Sequence, residues 1–289
     1  MQTTHANAWK ELIERNGFRP FPMPEKPKYI AFCDFDESYF PHHRTADWQE
    51  SIRRLEEFIF EKSEKEGLMI GLVTGSRLNW VFEKMASGGY RFAPHFIASA
   101  FGTQIHYFTE SEMGKMDEEW KRHIAGQGYT YEKIEEILRL LREKDIVLKR
   151  QEYVEFVDHS HSYYYFMKNE DEDKKNIEYI RKLAASYGIT VNISRCNPYV
   201  GDPENAYDVD FISRGAGKEE IVKFILKKFA VDRENSFAFG DSGNDLKMLR
   251  TVGNGYLLAN ATEEAKRKYN RIAEGPYTDG IYKTLKNRM

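Results

Sequence analysis

The sequence predicts an α/β protein built on a parallel sheet, with a second, α+β domain inserted into it. Three observations carry that prediction. Apolar, β-prone runs at Tyr29–Cys33, Leu68–Val73, His95–Ser99 and Ser236–Gly240 each stop abruptly at a polar or glycine-containing turn. Helical apolar spacings lie between the first of them, through Trp48, Ile52, Leu55 and Ile59, then through Leu78, Phe82 and Met85. Continuous apolar runs alternating with helices describe strands buried on both faces of a parallel, right-handed sheet. The rhythm then lapses. Helical patterns (Tyr131, Ile134, Leu138, Leu141; Ile177, Ile180, Leu183) and strand-like runs (Ser162–Met167, Ile189–Ser194) follow without a clean strand–helix–strand order.

Taken in order, residues 1–28 read as an N-terminal helix over Ala6–Arg15 and a tether broken by Pro20, Pro22, Pro24 and Pro27. Residues 29–105 read as the first part of the core, and 106–206 as the inserted domain. Residues 207–289 return to the core, with strands at DVDFIS, Ser236–Gly240 and Gly255–Ala259 and a helix over Gly217–Phe229.

Composition narrows the function. The 289 residues carry a net charge of -3, with a pI near 6.3. That speaks against bulk binding of nucleic acid or anionic membranes, which needs a basic footprint. No apolar run approaches the roughly 20 residues that span a bilayer, and the first residues lack a signal-peptide core. The expectation is a cytoplasmic protein. Cys33 and Cys196 read as reduced structural thiols rather than a disulfide or a metal site.

The chemistry concentrates at strand ends. The first run ends in Asp34 and Asp36, one residue apart. Alone, such a pair is also what a solvated turn after a strand looks like. In a parallel sheet, however, all carboxyl ends share one edge, where open α/β sheets bind ligands. Asp34/Asp36, Thr74-Gly75-Ser76 and Asp241/Asn244/Asp245 should therefore meet, with Lys218 opening a helix nearby. Asp34, Asp241 and Asp245 are hard oxygen donors suited to Mg²⁺. Thr74, Gly75 and Ser76 offer a hydroxyl and backbone N–H groups as a phosphate cradle. Lys218 adds a compact positive charge, and Asp36 is left for proton transfer. This is the equipment of phosphoryl transfer.

Asp34-Phe35-Asp36, Thr74-Gly75-Ser76, Lys218 and Gly240-Asp241-Ser242-Gly243-Asn244-Asp245 resemble, in order, the four motifs of the haloacid dehalogenase superfamily of phosphatases. The resemblance covers both halves of the core. The insertion, preceded by Gly102-Thr103-Gln104-Ile105, resembles the α+β (C2-type) cap of the branch that includes sucrose-phosphate phosphatase. The resemblance implies a Rossmann-like core and a Mg²⁺-dependent hydrolase acting on a hexose or amino-hexose phosphate. It implies Asp34 as nucleophile and Asp36 as general acid/base. Mg²⁺ would be held by Asp34, the Asp36 backbone carbonyl and Asp241, with Asn244 and Asp245 behind or bound through water. Thr74, Gly75, Ser76 and Lys218 would bind phosphate. The acid role needs a protonated Asp36, which a charged Asp34 would favour.

Substrate choice is expected in the cap. Candidates for sugar contact are Thr103, His161, Tyr163, Lys168 and Arg195, with His159, Tyr165, Asn192 and Asn197 beside them. His42-His43 reads as a loop next to the first motif that, with Arg44, could face substrate. Glu37-Ser38 stands where the superfamily usually has Gly-Thr. Two other readings are a non-catalytic phosphosugar sensor, which needs neither Asp34 nor Asp36, and a phosphotransferase passing the phosphoryl group to another sugar.

Overall fold

The computed structural model describes residues 8–43, 46–151, 158–196, 198 and 201–289. The chain forms two compact units, Met1–Trp120 with Gly217–Met289, and Lys121–Ala216.

The first unit opens with α1 (Ala8–Asn16) and β1 (Arg19–Pro20), then β2 (Tyr29–Cys33), α2 (Trp48–Glu66) and β3 (Leu68–Val73). Next come α3 (Leu78–Gly88), β4 (Phe92–Ala93), β5 (Phe96–Ser99), β6 (Gln104–Phe108), β7 (Met113–Met116) and α4 (Glu118–Ala125), in which the boundary between the units falls. The inserted unit holds α5 (Tyr131–Arg142), β8 (Leu148–Arg150), β9 (Ser160–Phe166), α6 (Glu170–Ser186), β10 (Ile189–Arg195) and β11 (Ala206–Ser213). The first unit resumes with α7 (Lys218–Phe229), β12 (Ser236–Gly240), α8 (Leu246–Thr251), β13 (Asn254–Leu257), α9 (Glu263–Lys268) and α10 (Tyr277–Arg288).

The main sheet runs β13-β12-β2-β3-β5-β6-β7. Its first five strands are mutually parallel, and β6 and β7 add an antiparallel hairpin. All six residues of β3 are buried, as expected of a central strand covered on both faces. Gly71 has a packing reason: a Cβ there would lie 2.1 Å from the Phe96 ring, so the ring lies over bare backbone. Helix α2 buries Trp48, Ile52, Leu55 and Ile59 and ends on Gly67 in the left-handed conformation.

The N-terminal segment belongs to this core. Trp9 packs against Phe82 of α3 and against Phe108, and Phe18 meets Phe82 edge-on. Full burial of Phe82 is worth about 2–3 kcal/mol in area terms. His95 fastens the proline tether: its Nδ1 accepts from Ile70 N at 3.0 Å, and its Nε2 lies 3.1 Å from the Pro22 carbonyl.

Two boundaries differ from the sequence reading. The inserted unit spans Lys121–Ala216 rather than 106–206. At its front, Ala100, Phe101 and Gly102 all take positive φ and reverse the chain, so β6 returns antiparallel onto β5 and buries Ile105 and Phe108 in the main sheet. At its back, DVDFIS lies in β11, between β10 and β9 of the insertion's own sheet. There Val209 and Phe211 join Tyr163 and Tyr165 in a separate apolar core. The C-terminal helix α10, which has no counterpart in the sequence reading, packs on α2.

Candidate active site

The carboxyl ends of β2, β3 and β12 do converge, and they bring most of the motif residues with them. Asp34 follows β2, and its amide donates to the Phe239 carbonyl of β12 at 2.9 Å. Thr74 follows β3, and its amide donates to Ala98 O of β5 at 2.9 Å. Asp241 follows β12.

Carboxylate oxygens of Asp34, Asp241 and Asp245 all lie within 4.8 Å of one another, and all three residues are buried. Lys218, at the start of α7, donates from Nζ to Asp34 Oδ1 at 2.5 Å and to Asp245 Oδ1 at 2.6 Å. Gly102 helps to set that helix end: a Cβ on it would come within 3.0 Å of Gly217 N. Burial, with Asp245 and Asp241 close by, holds the Asp34 carboxyl well above the usual range despite Lys218. Burial and then Asp245 push Asp241 up to about 6. The two neighbouring carboxylates raise Lys218 against the opposing effect of burial. Three buried carboxylates facing one ammonium leave an excess of negative charge, and hard oxygens so placed fit a divalent cation.

Asp245 is the scaffold of this cluster. Its Oδ2 accepts the amides of Asp241 and Ser242, each at 3.0 Å. A Cβ on Gly240 would lie 2.4 Å from the Asp245 side chain, which is why glycine closes β12. Ser38 Oγ donates to Asp241 Oδ1 at 3.0 Å, so the serine in the usual threonine position touches the cluster. Asn244 stands apart: it is exposed, and its Oδ1 accepts from Ser242 Oγ at 2.8 Å.

Asp36 has its own surroundings. Its Oδ2 accepts from Ser76 Oγ at 2.8 Å. Its Oδ1 accepts from Lys84 Nζ of α3 at 2.5 Å and lies 3.2 Å from His42 Nε2. Burial works to raise this carboxyl, but His42, Lys84 and Ser76 outweigh it and hold the group at about 2. These contacts favour the ionised form of Asp36 rather than the expected protonated one: Lys218 meets Asp34, while the Lys84 ammonium and the Ser76 hydroxyl donate to Asp36 itself. Ser76 also differs from the expected cradle. Its amide donates to Thr74 Oγ1 at 2.9 Å and its hydroxyl serves Asp36. Gly75 is fixed by space, since a Cβ would sit 2.8 Å from the Phe101 ring.

Glu37 takes φ 57°, the left-handed region that glycine enters freely. That accounts for the superfamily's preference for glycine here. The strain is held by neighbours: Asn260 Nδ2 donates to Glu37 O at 2.7 Å, and His42 N to Glu37 Oε1 at 3.2 Å. Tyr277, pushed up to about 12 by burial and by Glu37, hydrogen-bonds the same side chain.

The candidates for sugar contact are more scattered. Thr103 is buried in the core unit, with Oγ1 donating to Ala100 O at 2.8 Å. Within the inserted unit, Tyr163 and Tyr165 are buried in the apolar core, so packing accounts for them. His161 stacks on Tyr129, with Nδ1 2.7 Å from its hydroxyl. Lys168 is exposed and bonds Glu172 four residues on, which places it on a solvated helix start. Arg195 is exposed at the end of β10, and Asn197 lies outside the described residues. The sequence reading places His42 in a loop that could face substrate but does not single out Lys84; the 48-residue separation of Lys84 from Asp36 leaves no local signal.

Comparison with known proteins agrees with this fold. A profile of the family described as Sucrose-6F-phosphate phosphohydrolase matches residues 27–287. The kanosamine-6-phosphate phosphatase of Bacillus subtilis is 46% identical over 276 residues, covering 95% of this chain and 98% of its own length. The crystal structure of a haloacid dehalogenase-like hydrolase from Bacillus subtilis superposes with a TM-score of 0.81 at 45% identity, over 96% of this chain and 98% of that one. The sucrose-phosphatase of Synechocystis, solved with sucrose and phosphate, shares the fold with a TM-score of 0.68 at 18% identity, over 90% of this chain and 98% of its own.

Fold and site thus define a phosphatase of the haloacid dehalogenase superfamily, with an α/β core and an inserted α+β cap. The chain belongs to the sucrose-6F-phosphate phosphohydrolase family. Among the described residues, no helix is long and apolar enough to cross a membrane.

Proposed function

We propose that this enzyme hydrolyses a sugar 6-phosphate, kanosamine 6-phosphate in amino-sugar antibiotic biosynthesis, through an aspartyl-phosphate on Asp34. The observation that carries the reading is the buried cluster of Asp34, Asp241 and Asp245 around Lys218. A non-catalytic sensor needs neither a nucleophile at Asp34 nor an acid/base at Asp36. The 46% identity to a kanosamine-6-phosphate phosphatase supports the narrower substrate.

In this reading a carboxylate oxygen of Asp34 forms the new bond to phosphorus. The bond from phosphorus to the sugar oxygen breaks with its electron pair on that oxygen, which takes a proton from Asp36. Water then attacks phosphorus, its proton passes to Asp36, and the Asp34 oxygen leaves. The water step requires Asp36 ionised, the form its contacts with Lys84 and Ser76 favour, and the proton it then takes from water is the one it gives to the next sugar oxygen. Asp34, Asp241 and the Asp36 carbonyl would hold Mg²⁺, which when bound supplies charge for the transferring phosphoryl group. Lys218 adds the positive charge this chain itself contributes, and Thr74 and Gly75 place the phosphate. The inserted unit serves as the cap that sets substrate choice.

Phosphate release from kanosamine 6-phosphate, glucosamine 6-phosphate, glucose 6-phosphate and sucrose 6-phosphate, with Mg²⁺ and with chelator, tests this. Kanosamine 6-phosphate should give the highest kcat/KM, only with Mg²⁺, and Asp34→Asn should abolish release. A preference for sucrose 6-phosphate would remove the amino-sugar reading. Turnover surviving in Asp34→Asn would remove the nucleophile.

A further inference from the structure

We propose that Lys84 is a positioning residue for Asp36, through which it acts on departure of the sugar oxygen. This rests on the acid/base role given to Asp36 above. Asp34 and Asp36 stand one residue apart, yet each has its own ammonium from a different helix: Lys218 of α7 for Asp34 and Lys84 of α3 for Asp36. Both oxygens of Asp36 are engaged from three parts of the chain. Lys84 and His42 meet Oδ1, and Ser76 meets Oδ2. Three donors from three directions fix the plane of a carboxylate, which two freely rotating bonds would otherwise leave loose.

The lysine is itself held. Its Nζ lies 5.8 Å from the centroid of the Phe35 ring, between the two aspartates. Its helix is clamped from behind by Trp9 and Phe18 on Phe82. Fold stability does not require the ion pair. Helix α3 is anchored by its own apolar face of Leu78, Val81, Phe82 and Met85, so its place in the fold does not hang on this partly exposed pair alone. Orientation of Asp36 is what the contact supplies. General acid catalysis depends on that orientation when the leaving group is a sugar alkoxide, and scarcely at all when it is p-nitrophenolate, which leaves without a proton.

The test compares kcat/KM, which reports the step that expels the leaving group and not the water step common to both substrates, for kanosamine 6-phosphate and p-nitrophenyl phosphate in the wild-type protein and in Lys84→Met, Lys84→Arg and Asp36→Asn, each with its Tm. Lys84→Met should lose about 10²-fold on the sugar phosphate and far less on p-nitrophenyl phosphate, with KM and Tm nearly unchanged. Lys84→Arg should recover much of the loss. Equal losses on both substrates in Lys84→Met, or none, overturn the proposal while Asp36→Asn still discriminates between them. If Asp36→Asn itself treats both substrates alike, the acid role of Asp36 falls and the role of Lys84 falls with it. Should Lys84→Met fail to fold, Lys84→Gln carries the same comparison.

Discussion

In the core unit, Lys218 joins two carboxylates that lie 184 and 27 residues away along the chain. In the inserted unit, Lys168 meets Glu172, four residues on. The same contrast runs through both units. Asp34, Asp241 and Asp245 are buried, and partners reach them from other segments, Lys218 from α7 and Ser38 from the turn after β2. In the insertion, Tyr165 donates to Asp173 eight residues on, and Lys168 is a helix-start cation. Charge collected over long sequence separations marks the strand-end edge of a parallel sheet, where several chain segments are forced together. Charge satisfied locally marks an element stabilising itself.

Removing Lys218 should break the core side of this comparison hardest. Lys218→Met leaves Asp34 and Asp245 buried without their cation and should cost about 3–5 kcal/mol in chemical denaturation of the metal-free protein. Turnover should fall by about 10²–10³-fold or more. Near wild-type stability would mean that the cluster tolerates its own charge, and the contrast with the insertion would weaken.

A titration probes the core away from its strand ends. Burial lowers His95 to about 4 from a usual 6.5, against the opposing hydrogen bonds to Pro22 and Ile70. Its folded value lies below its unfolded value, so the unfolded chain takes up the proton first as pH falls. Stability present above about pH 6.5 should be lost toward pH 4, by an amount on the order of 3 kcal/mol from this group. Urea midpoints across that range should slope less steeply in His95→Gln than in wild type. Parallel slopes would show that other groups govern the acid limb.

Tyr165→Phe sharpens the insertion side. Asp173 is buried and accepts from the Tyr165 hydroxyl at 2.7 Å and from Lys168 N at 3.0 Å. Losing the hydroxyl should cost about 1–3 kcal/mol, while kcat and KM of the folded enzyme stay unchanged. A raised KM would move Tyr165 from packing to substrate contact. Lys168→Ala should do least: an exposed pair four residues apart should leave both Tm and KM where they were. A clear rise in KM there would place Lys168 against substrate and erase the local-versus-convergent distinction.

The chain-order motifs made much of the core legible. Strand runs ending in Asp34, Thr74 and Asp241 are read from periodicity, because central strands of a parallel sheet are apolar throughout and polar only where they stop. The edge of the core was harder to read. The sequence reading starts a new domain at His106, but the left-handed turn at Ala100–Gly102 folds all of Gln104–Phe108 back onto β5. DVDFIS alternates with period two, and which sheet it joins depends on neighbours far along the chain.

The sequence by itself determined the sheet's central strands, the order of the motifs and the chemistry their residue types can perform, since those follow from local pattern and side-chain identity. Only the tertiary structure decided what surrounds each carboxylate. Nothing in Asp34-Phe35-Asp36 tells that Lys218 will hold the first while Lys84, His42 and Ser76 hold the second. Nor does it tell that Glu37 must take a left-handed backbone fixed by Asn260. The reason is physical: the protonation of a carboxyl shielded from water is set by the charges and donors within a few ångströms of it, and here Ser76, Lys84 and Lys218 come from segments 40, 48 and 184 residues away.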